Sequence, residues 1–249
     1  AEKSMNILPA QYFPQATKHI PHIIKLIQEL IERGHAYEVH GNVFYDVTSF
    51  PGYGKLSGNS LENLQVGARL EEHPDKRHPW DFALWLKAPV GHLMHWSSPW
   101  SEGYPGWHIE CSAMSREYLG DTLDIHTGGE DHIFPHHEAE IAQSEGSGSH
   151  PFARFFLHVR HMMIDGVKMS KSKGNFYTLE DITAKGFDAM DLRLLFIGAH
   201  YRSQMNFTWD ALAQAKKNRE TLENTRKRLS RDGITSGDYR ADEELAAIQ

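Results

Sequence analysis

A chain of 249 residues can bury a large core and hold one large domain with appendages, and it has no apolar run approaching the roughly 18 to 20 residues that span a bilayer. Its 26 Lys and Arg residues against 33 Asp and Glu residues give a formal net charge of −7, which argues against a uniformly basic DNA-binding surface but not against a local contact with nucleic acid. The single cysteine, Cys111, excludes an internal disulfide framework and predicts a reducing, cytoplasmic compartment.

The first hundred residues predict one amphipathic helix followed by β-structure. Residues 17–33 repeat isoleucine and leucine at helical spacing and are followed by Gly34, which is typical of a packing helix that ends there. Residues 36–47 alternate around a Gly-Asn pair and predict a β-hairpin. The next segment, F-P-G-Y-G-K-L-S-G, indicates an exposed irregular loop, and the Trp-rich residues 80–87 indicate core or interface. Hairpins and turns between two α/β parts predict an inserted domain.

A second helix is predicted from about His108, and it contains Cys111. A lone intracellular cysteine is most often a small buried hydrophobe. A thiolate is also one of the ligands that zinc prefers. Both interpretations stand for Cys111 at this point.

The segment D-I-H-T-G-G-E-D-H-I-F-P-H-H-E-A-E-I, residues 124–141, predicts a strand, a glycine turn and a helix. Two successive glycines let the backbone approach a ligand closely, and a proline suits the first helical position. His136 and Glu140 are four residues apart, so on a helix they project from one face. An imidazole and a carboxylate placed in this way are typical metal ligands, and the alternative is a solvated polar helix start.

Residues 155–164 predict a buried strand, which is followed by a tight turn at Asp165-Gly166 and by K-M-S-K-S-K-G-N-F at 168–176. Lysines on a flexible loop suit a polyphosphate, because ammonium groups on long side chains can follow charge toward a leaving group. The alternative is a solvated surface loop. Residues 179–196 then predict a helix, and residues 208–232 predict a long polar helix.

Three of these motifs, G-W-H-I-E-C, G-G-E-D-H-I-F-P-H-H-E-A-E-I-A-Q and K-M-S-K-S-K-G-N-F, together resemble the cysteinyl-tRNA synthetases, which are class I aminoacyl-tRNA synthetases. The resemblance extends over essentially the whole chain. It implies an α/β fold: a partial Rossmann-like catalytic domain with an inserted connective domain and a C-terminal helical region. The implied boundaries are 1–34 for a helix of the catalytic domain, 35–100 for the insertion, 101–160 for the second half of the catalytic domain, 161–207 for the lysine loop and stem-contact region, and 208–249 for the start of the helical domain.

The resemblance also implies an activity, the ATP-dependent ligation of L-cysteine to tRNA(Cys) through a cysteinyl-adenylate. It implies bound zinc that selects the substrate thiol, ATP with magnesium as co-substrate, and a monomeric protein. The residue roles that it implies are zinc ligation by Cys111, His136 and Glu140, a side-chain pocket wall at Trp107, contact with the polar end of the substrate by His126, ATP binding at Gly128, Gly129, Asp131 and Lys171, and stabilisation of the departing pyrophosphate by Lys168 and Lys171.

A metal selector for cysteine makes physical sense apart from the resemblance. Serine differs from cysteine by one atom, and the size of a pocket separates near-isosteres only weakly. Zinc prefers a soft thiolate to a hydroxyl and lowers the pKa of a thiol that binds it. A metal can therefore do the work of a separate editing site.

The sequence departs from the family at both ends. The first strand, the His-Ile-Gly-His signature and a fourth, cysteine zinc ligand of the family do not occur, and the helical region stops early. We therefore expect an internal or incomplete copy that alone does not activate cysteine at full rate. Two alternatives remain, a cysteine ligase of mycothiol synthesis and a catalytically inert module that binds zinc or tRNA. The basic C-terminal helix and the hairpin insertion favour the tRNA enzyme.

Overall fold

A computed structural model describes residues 2–60, 73–148 and 151–231 of the chain. Parts of the predicted insertion (61–72) and of the predicted helical region (232–249) lie outside the described residues. The described residues form two units, one of residues 10–159 and the other of residues 2–9 with 160–231. None of the helices within the described ranges has the length and apolar character that a membrane crossing requires.

The first helix confirms the predicted amphipathic stripe. Helix α1 spans Ile20–Glu32, and Pro21 lies in its first turn, where a missing N–H breaks no helical hydrogen bond. Ile23, Ile27 and Leu30 are fully buried, as their spacing predicts. Gly34 follows with a φ of +80°, a left-handed conformation that glycine adopts without strain. The helix therefore ends where the sequence places its stop.

The predicted hairpin is confirmed and belongs to a five-stranded antiparallel sheet in the order β1-β2-β3-β5-β4. The turn of the hairpin is His40-Gly41, whose φ angles are 52° and 87°, and not the expected Gly-Asn pair. A two-residue hairpin turn of this kind needs both central residues at positive φ, which sets the register one residue earlier. The strands are β1 Ala36–Val39, β2 Asn42–Tyr45, β3 Phe82–Lys87, β4 Trp96–Ser97 and β5 Glu102–Pro105.

A βαβ arrangement follows this sheet within the same unit. Strands β6 and β7 pair in parallel, with Gly129 opposite Val159 at their carboxyl ends. Parallel strands need a long crossover connection, which a helix supplies here, and ligands of such sheets bind beyond the carboxyl ends. The elements are α2 Ile109–Leu119, β6 Leu123–Gly129, α3 Glu138–Gly146 and β7 Ala153–Val159.

One expectation about this region is wrong. The strand predicted at 155–164 ends at Val159 and is not buried, since Phe155 is 65% exposed and Val159 is 53% exposed. Among the described residues β6 and β7 pair only with each other, so both outer edges of this small sheet lack a strand neighbour. The helix start expected at Pro135 is confirmed. Phe134 before it is extended, as a residue before proline usually is, and from Pro135 onward the backbone is helical and leads into α3 at Glu138.

The second unit is built on a small three-stranded sheet and three helices. The turn at Asp165-Gly166 is confirmed, with φ angles of 47° and 77°. The helix predicted over 179–196 is in fact two helices, because Gly186 has a φ of +82° and Asp188 caps the second one. The long polar helix is confirmed. The elements are β8 Met163–Ile164, β9 Val167–Lys168, α4 Leu179–Ala184, α5 Ala189–Ile197, β10 Asn206–Phe207 and α6 Trp209–Arg231.

Candidate metal centre

The structure brings together three of the side chains that the sequence singles out. One ligand atom each from Cys111, His136 and Glu140 lies within 4.8 Å of the other two. Cys111 lies in the first turn of α2, Glu140 lies in the first turn of α3, and His136 lies in the helical residues 135–137 that lead into α3. His136 Nε2 is 3.5 Å from Oε1 of Glu140. A sulfur, a nitrogen and an oxygen thus face one point, as the ligands of a zinc ion do.

Glu140 supplies a separate observation in favour of a cation. Its side chain is 1% exposed, and its Oε2 lies 2.7 Å from His126 Nε2. Its Oε1 has no hydrogen-bond partner among the described residues. A buried carboxylate oxygen without a donor is costly, and such an atom calls for an explanation. A cation between His136 and Oε1 satisfies this oxygen, so the residues fit a metal.

His108 orients the ring of His136 through the Nδ1 atom, on the side opposite the Nε2 atom that faces Glu140. The Nδ1 atom of His136 lies 2.5 Å from Nδ1 of His108, so one of the two rings donates to the other. Burial lowers the pKa of His108 to about 3, with the nearby His136 and His132 adding to the effect, so His108 is neutral and can accept a proton. When His136 donates from Nδ1, its Nε2 presents a lone pair toward Glu140. A second hydrogen bond that orients a metal-binding histidine in this way is a regular feature of metal sites.

The backbone of His108 is shaped for this contact. Its φ is +84°, which is strained for any residue with a side chain. Strained residues of this kind cluster at functional sites. His108 immediately precedes α2, so the same backbone turn places His108 and Cys111 on the cluster.

Cys111 is a neutral thiol in the protein without metal. Burial, with a smaller contribution from the carboxylates of Glu140 and Glu110, raises its pKa to about 12. A bound cation reverses this balance, because a coordinating thiol loses its proton. The site therefore couples metal binding to proton release.

A second group of possible ligands shares Glu140. His126, His137 and Glu140 also place one ligand atom each within 4.8 Å of one another. His137 Nδ1 lies 2.8 Å from His158 Nε2 on β7, and burial lowers the pKa of His137 to about 3. Sequence reasoning assigned no role to His108, His137 or His158. His108 lies in the G-W-H-I-E-C motif three residues before Cys111, and His137 lies beside His136, whereas nothing local marks His158.

The other residues predicted to bind substrate lie around this cluster. His126 was expected to contact the polar end of the substrate, and the structure places it against Glu140. Gly128 lies where an added Cβ would be 2.8 Å from the ring of His137, so its lack of a side chain makes room for the histidines. Gly129 ends β6, and Asp131 lies in the short turn Glu130–His132 that follows.

Trp107 lies between the cluster and a cavity of about 820 Å³. The Trp107 side chain is 68% exposed, and its ring stacks on His108 with centroids 4.8 Å apart. The cavity is lined mainly by aromatic residues and by a few polar ones, among them Tyr53, Trp80, Phe82, Trp107, His108, Glu110 and Phe134. The cavity therefore suits a largely apolar group.

The lysine loop lies in the other unit and has a defined shape. The side-chain amide of Asn175 donates to the carbonyl of Lys168 at 3.2 Å, and its oxygen accepts from the backbone N–H of Ser170 at 2.9 Å. Lys168 and Lys171 are exposed and form no ion pair with another described residue. Lys171 Nζ lies 5.4 Å from the centroid of the Phe176 ring. Both ammonium groups are thus available to an anion.

Comparison with known proteins assigns the chain to a family. The family model of the class I (C) tRNA synthetase catalytic domain matches residues 1–217. A cysteine–tRNA ligase of Chlorobaculum tepidum is 54% identical over 217 residues, which cover 87% of this chain and 44% of that protein. A cysteine–tRNA ligase of Deinococcus radiodurans is 51% identical over 248 residues, which cover 98% of this chain and 49% of that protein.

A solved structure described as an arginyl-tRNA synthetase from Campylobacter jejuni has a TM-score of 0.48 and 13% identity, covering 82% of this chain and 37% of the other. The chain spans about half the length of the cysteine–tRNA ligases that it matches. Since the family model covers most of the chain, the chain belongs to the family of class I (C) tRNA synthetase catalytic domains.

Proposed function

We propose that the protein to which this chain belongs joins L-cysteine to tRNA(Cys), using ATP and passing through a cysteinyl-adenylate. The observation that carries the proposal is the convergence of Cys111, His136 and Glu140, with one buried oxygen of Glu140 left without a donor. The names of the relatives agree with it, since both are cysteine–tRNA ligases of about 50% identity. The alternatives, a ligase of mycothiol synthesis and an inert binding module, receive no support from these relatives.

The metal of this proposal is zinc. A mixed set of thiolate, imidazole and carboxylate suits Zn²⁺ better than Mg²⁺ or Ca²⁺, which prefer oxygen ligands alone. Zinc bound there supplies a soft partner for the substrate thiol, which the hydroxyl of serine cannot match. The residues of the chain then do the positioning. His108 orients His136, His126 holds the second oxygen of Glu140, and Trp107 forms the adjoining wall.

The nucleotide is proposed to bind with its phosphates on the lysine loop. Lys168 and Lys171 hold the phosphates, with Mg²⁺, and stabilise the negative charge that develops on the departing pyrophosphate. Their exposed ammonium groups support this role. Gly128, Gly129 and Asp131 lie at the carboxyl end of β6, where ligands of parallel sheets bind, and we assign them to the nucleotide floor.

The same proposal divides the chain into working parts. Residues 35–100 form the connective insertion that touches the acceptor end of the tRNA, between the catalytic segments 1–34 and 101–160. Residues 161–207 carry the lysine loop, and residues 208–249 begin the helical domain that leads toward the anticodon. We further propose a cytoplasmic monomer.

Three measurements on the full-length protein test the function. Cysteine-dependent exchange of pyrophosphate into ATP tests adenylate formation, and serine in place of cysteine tests selection by the metal. Transfer of labelled cysteine to tRNA(Cys) or to an amino-sugar inositol tests the acceptor. We expect exchange with cysteine, almost none with serine, and transfer to tRNA alone. Transfer to the amino sugar, or equal exchange with the two amino acids, would contradict the proposal.

A further inference from the structure

Glu138 has an environment that the proposed chemistry does not explain. It is the first residue of α3, and only 1% of it is exposed. Its carboxylate accepts the backbone N–H of Gly54 and the backbone N–H of Ser57, both at 2.9 Å, and lies 3.4 Å from the backbone N–H of Leu56. These donors are more than 80 residues away in the sequence. A buried carboxylate is thus stabilised almost entirely by the backbone of one distant loop.

The loop is shaped to receive an anion. Gly54 has a φ of +93°, and a Cβ there would collide with the backbone carbonyl of Asn59. The hydroxyl of Ser57 donates to the carbonyl of Gly54 at 3.3 Å. Within this turn, the N–H groups of Gly54, Leu56 and Ser57 point inward and form a concave site for negative charge. The anion that fills the site is Glu138.

The same loop supplies part of the cavity wall. Tyr53, next to Gly54, lines the cavity. Its ring stacks on Phe82 with centroids 6.3 Å apart and meets the edge of Phe134 at 6.4 Å. The position of Tyr53 therefore depends on where Glu138 holds the loop.

Helix α3 connects this loop to the metal-type cluster. Glu138 and Glu140 are two residues apart, and an α-helix turns about 100° per residue, so their side chains point to opposite sides of α3. Glu140 faces Cys111 and His136, whereas Glu138 faces the loop. A movement of the start of α3 toward a cation thus shifts both carboxylates.

We propose that Glu138 is a positioning residue that holds the loop of residues 51–58, and with it the cavity-lining Tyr53, in a fixed position relative to the metal cluster. Zinc binding at Cys111, His136 and Glu140 then tightens this loop. The zinc part of this inference rests on the proposed function, whereas the anchoring of the loop by Glu138 does not. No hydrogen bond among those of the described residues joins the cluster to the loop directly, so the hydrogen-bonded connection runs through α3, beside the ring contact of Tyr53 with Phe134.

Amide hydrogen exchange of Gly54 and Ser57 in the full-length protein, with and without zinc, tests the inference. In Glu138→Gln, the amide group keeps the shape of the side chain but loses the charge and one acceptor. We expect these two amides to exchange about tenfold faster, because charge-assisted hydrogen bonds are lost. We expect zinc to slow the exchange of these amides in the wild type and in the control Glu145→Gln. Glu145 lies further along α3, and its carboxylate accepts the backbone N–H of Phe152, away from the loop. Zinc should have no such effect in Glu138→Gln or in Glu140→Gln.

The possible failures are distinguishable. If zinc binds the wild type but leaves Gly54 and Ser57 unchanged, the coupling is rejected while the proposed function stands. If the wild type binds no zinc, the metal part of the proposed function fails. The exchange rates of Gly54 and Ser57 in the wild type and in Glu138→Gln, both without zinc, then test the anchoring role. In that comparison, unchanged exchange in Glu138→Gln rejects the anchoring role.

Discussion

The Nε2 atom of His126 lies 2.7 Å from Oε2 of Glu140, on the side of the carboxylate away from the oxygen that has no partner. One carboxylate thus has two different oxygens, one held by the protein and one left for a ligand. Histidine or carboxylate partners that fix a metal ligand in this way contribute to affinity without touching the metal.

The first prediction concerns this contact. His126→Ala removes the hydrogen bond that orients Glu140, so we expect zinc affinity to fall about tenfold to 100-fold. Competition with a chromophoric chelator measures the affinity. His95→Ala is the matched control, because His95 is exposed on the loop between β3 and β4 and should leave the affinity unchanged. An equal loss in both variants would reject the role of His126.

The second prediction concerns the lysine loop. Lys171→Ala should slow cysteine-dependent pyrophosphate exchange about 10²-fold to 10³-fold, because one charge that stabilises the leaving group is removed. The KM for cysteine should change little. Lys217→Ala, an exposed lysine on α6, provides the control. If Lys171→Ala instead raises the KM for cysteine and leaves kcat unchanged, the loop has a different task.

The third prediction is a pH dependence of stability in the metal-free protein. Burial lowers the pKa of His108 and the pKa of His137 to about 3, from an ordinary value of 6.5. Between these values the unfolded chain binds more protons than the folded one, so stability is complete above pH 6.5 and is lost as the pH falls toward 3. Urea midpoints measured from pH 6.5 to 5, above the range of most carboxylates, should therefore decrease.

His137→Gln separates this effect from other titrations. The variant should reduce the slope of unfolding free energy against pH by about one bound proton. Between pH 7 and 8 neither of these two histidines changes its charge, so wild type and variant should there run parallel. An unchanged slope below pH 6.5 would show that His137 is not the source.

The fourth prediction concerns the second unit. Asp191 on α5 is fully buried, and its Oδ1 accepts from Nε of Arg219 on α6 at 2.7 Å. Arg219→Ala leaves this carboxylate without its cation and should lower the free energy of unfolding of the unit by about 3 kcal/mol. Arg226→Ala, exposed on the same helix, should change it by less than about 0.5 kcal/mol. Urea unfolding followed by circular dichroism compares the two, and equal effects would contradict the assignment.

The local sequence pattern correctly predicted the elements that depend only on residues close together in the chain. The stripe of α1, the long helix α6 and the turn at Asp165-Gly166 follow from spacing and from turn chemistry. The errors arose where a local rule competed with another. Residues 179–196 suit one helix, but Gly186 at a φ of +82° and the cap at Asp188 divide it into two. The apolar run of β7 suits burial, yet Phe155 and Val159 are exposed.

The sequence by itself determined the residue types of the candidate site and, through the family resemblance, which three of them belong together. Only the tertiary structure decided what surrounds them. His108, His158 and the loop at Gly54 lie 21 to 84 residues from their partners, and no periodicity spans such distances. Their contacts depend on the parallel pairing of β6 with β7 and on the packing of α3. The free oxygen of Glu140 and the anchored carboxylate of Glu138 therefore became visible only in the fold.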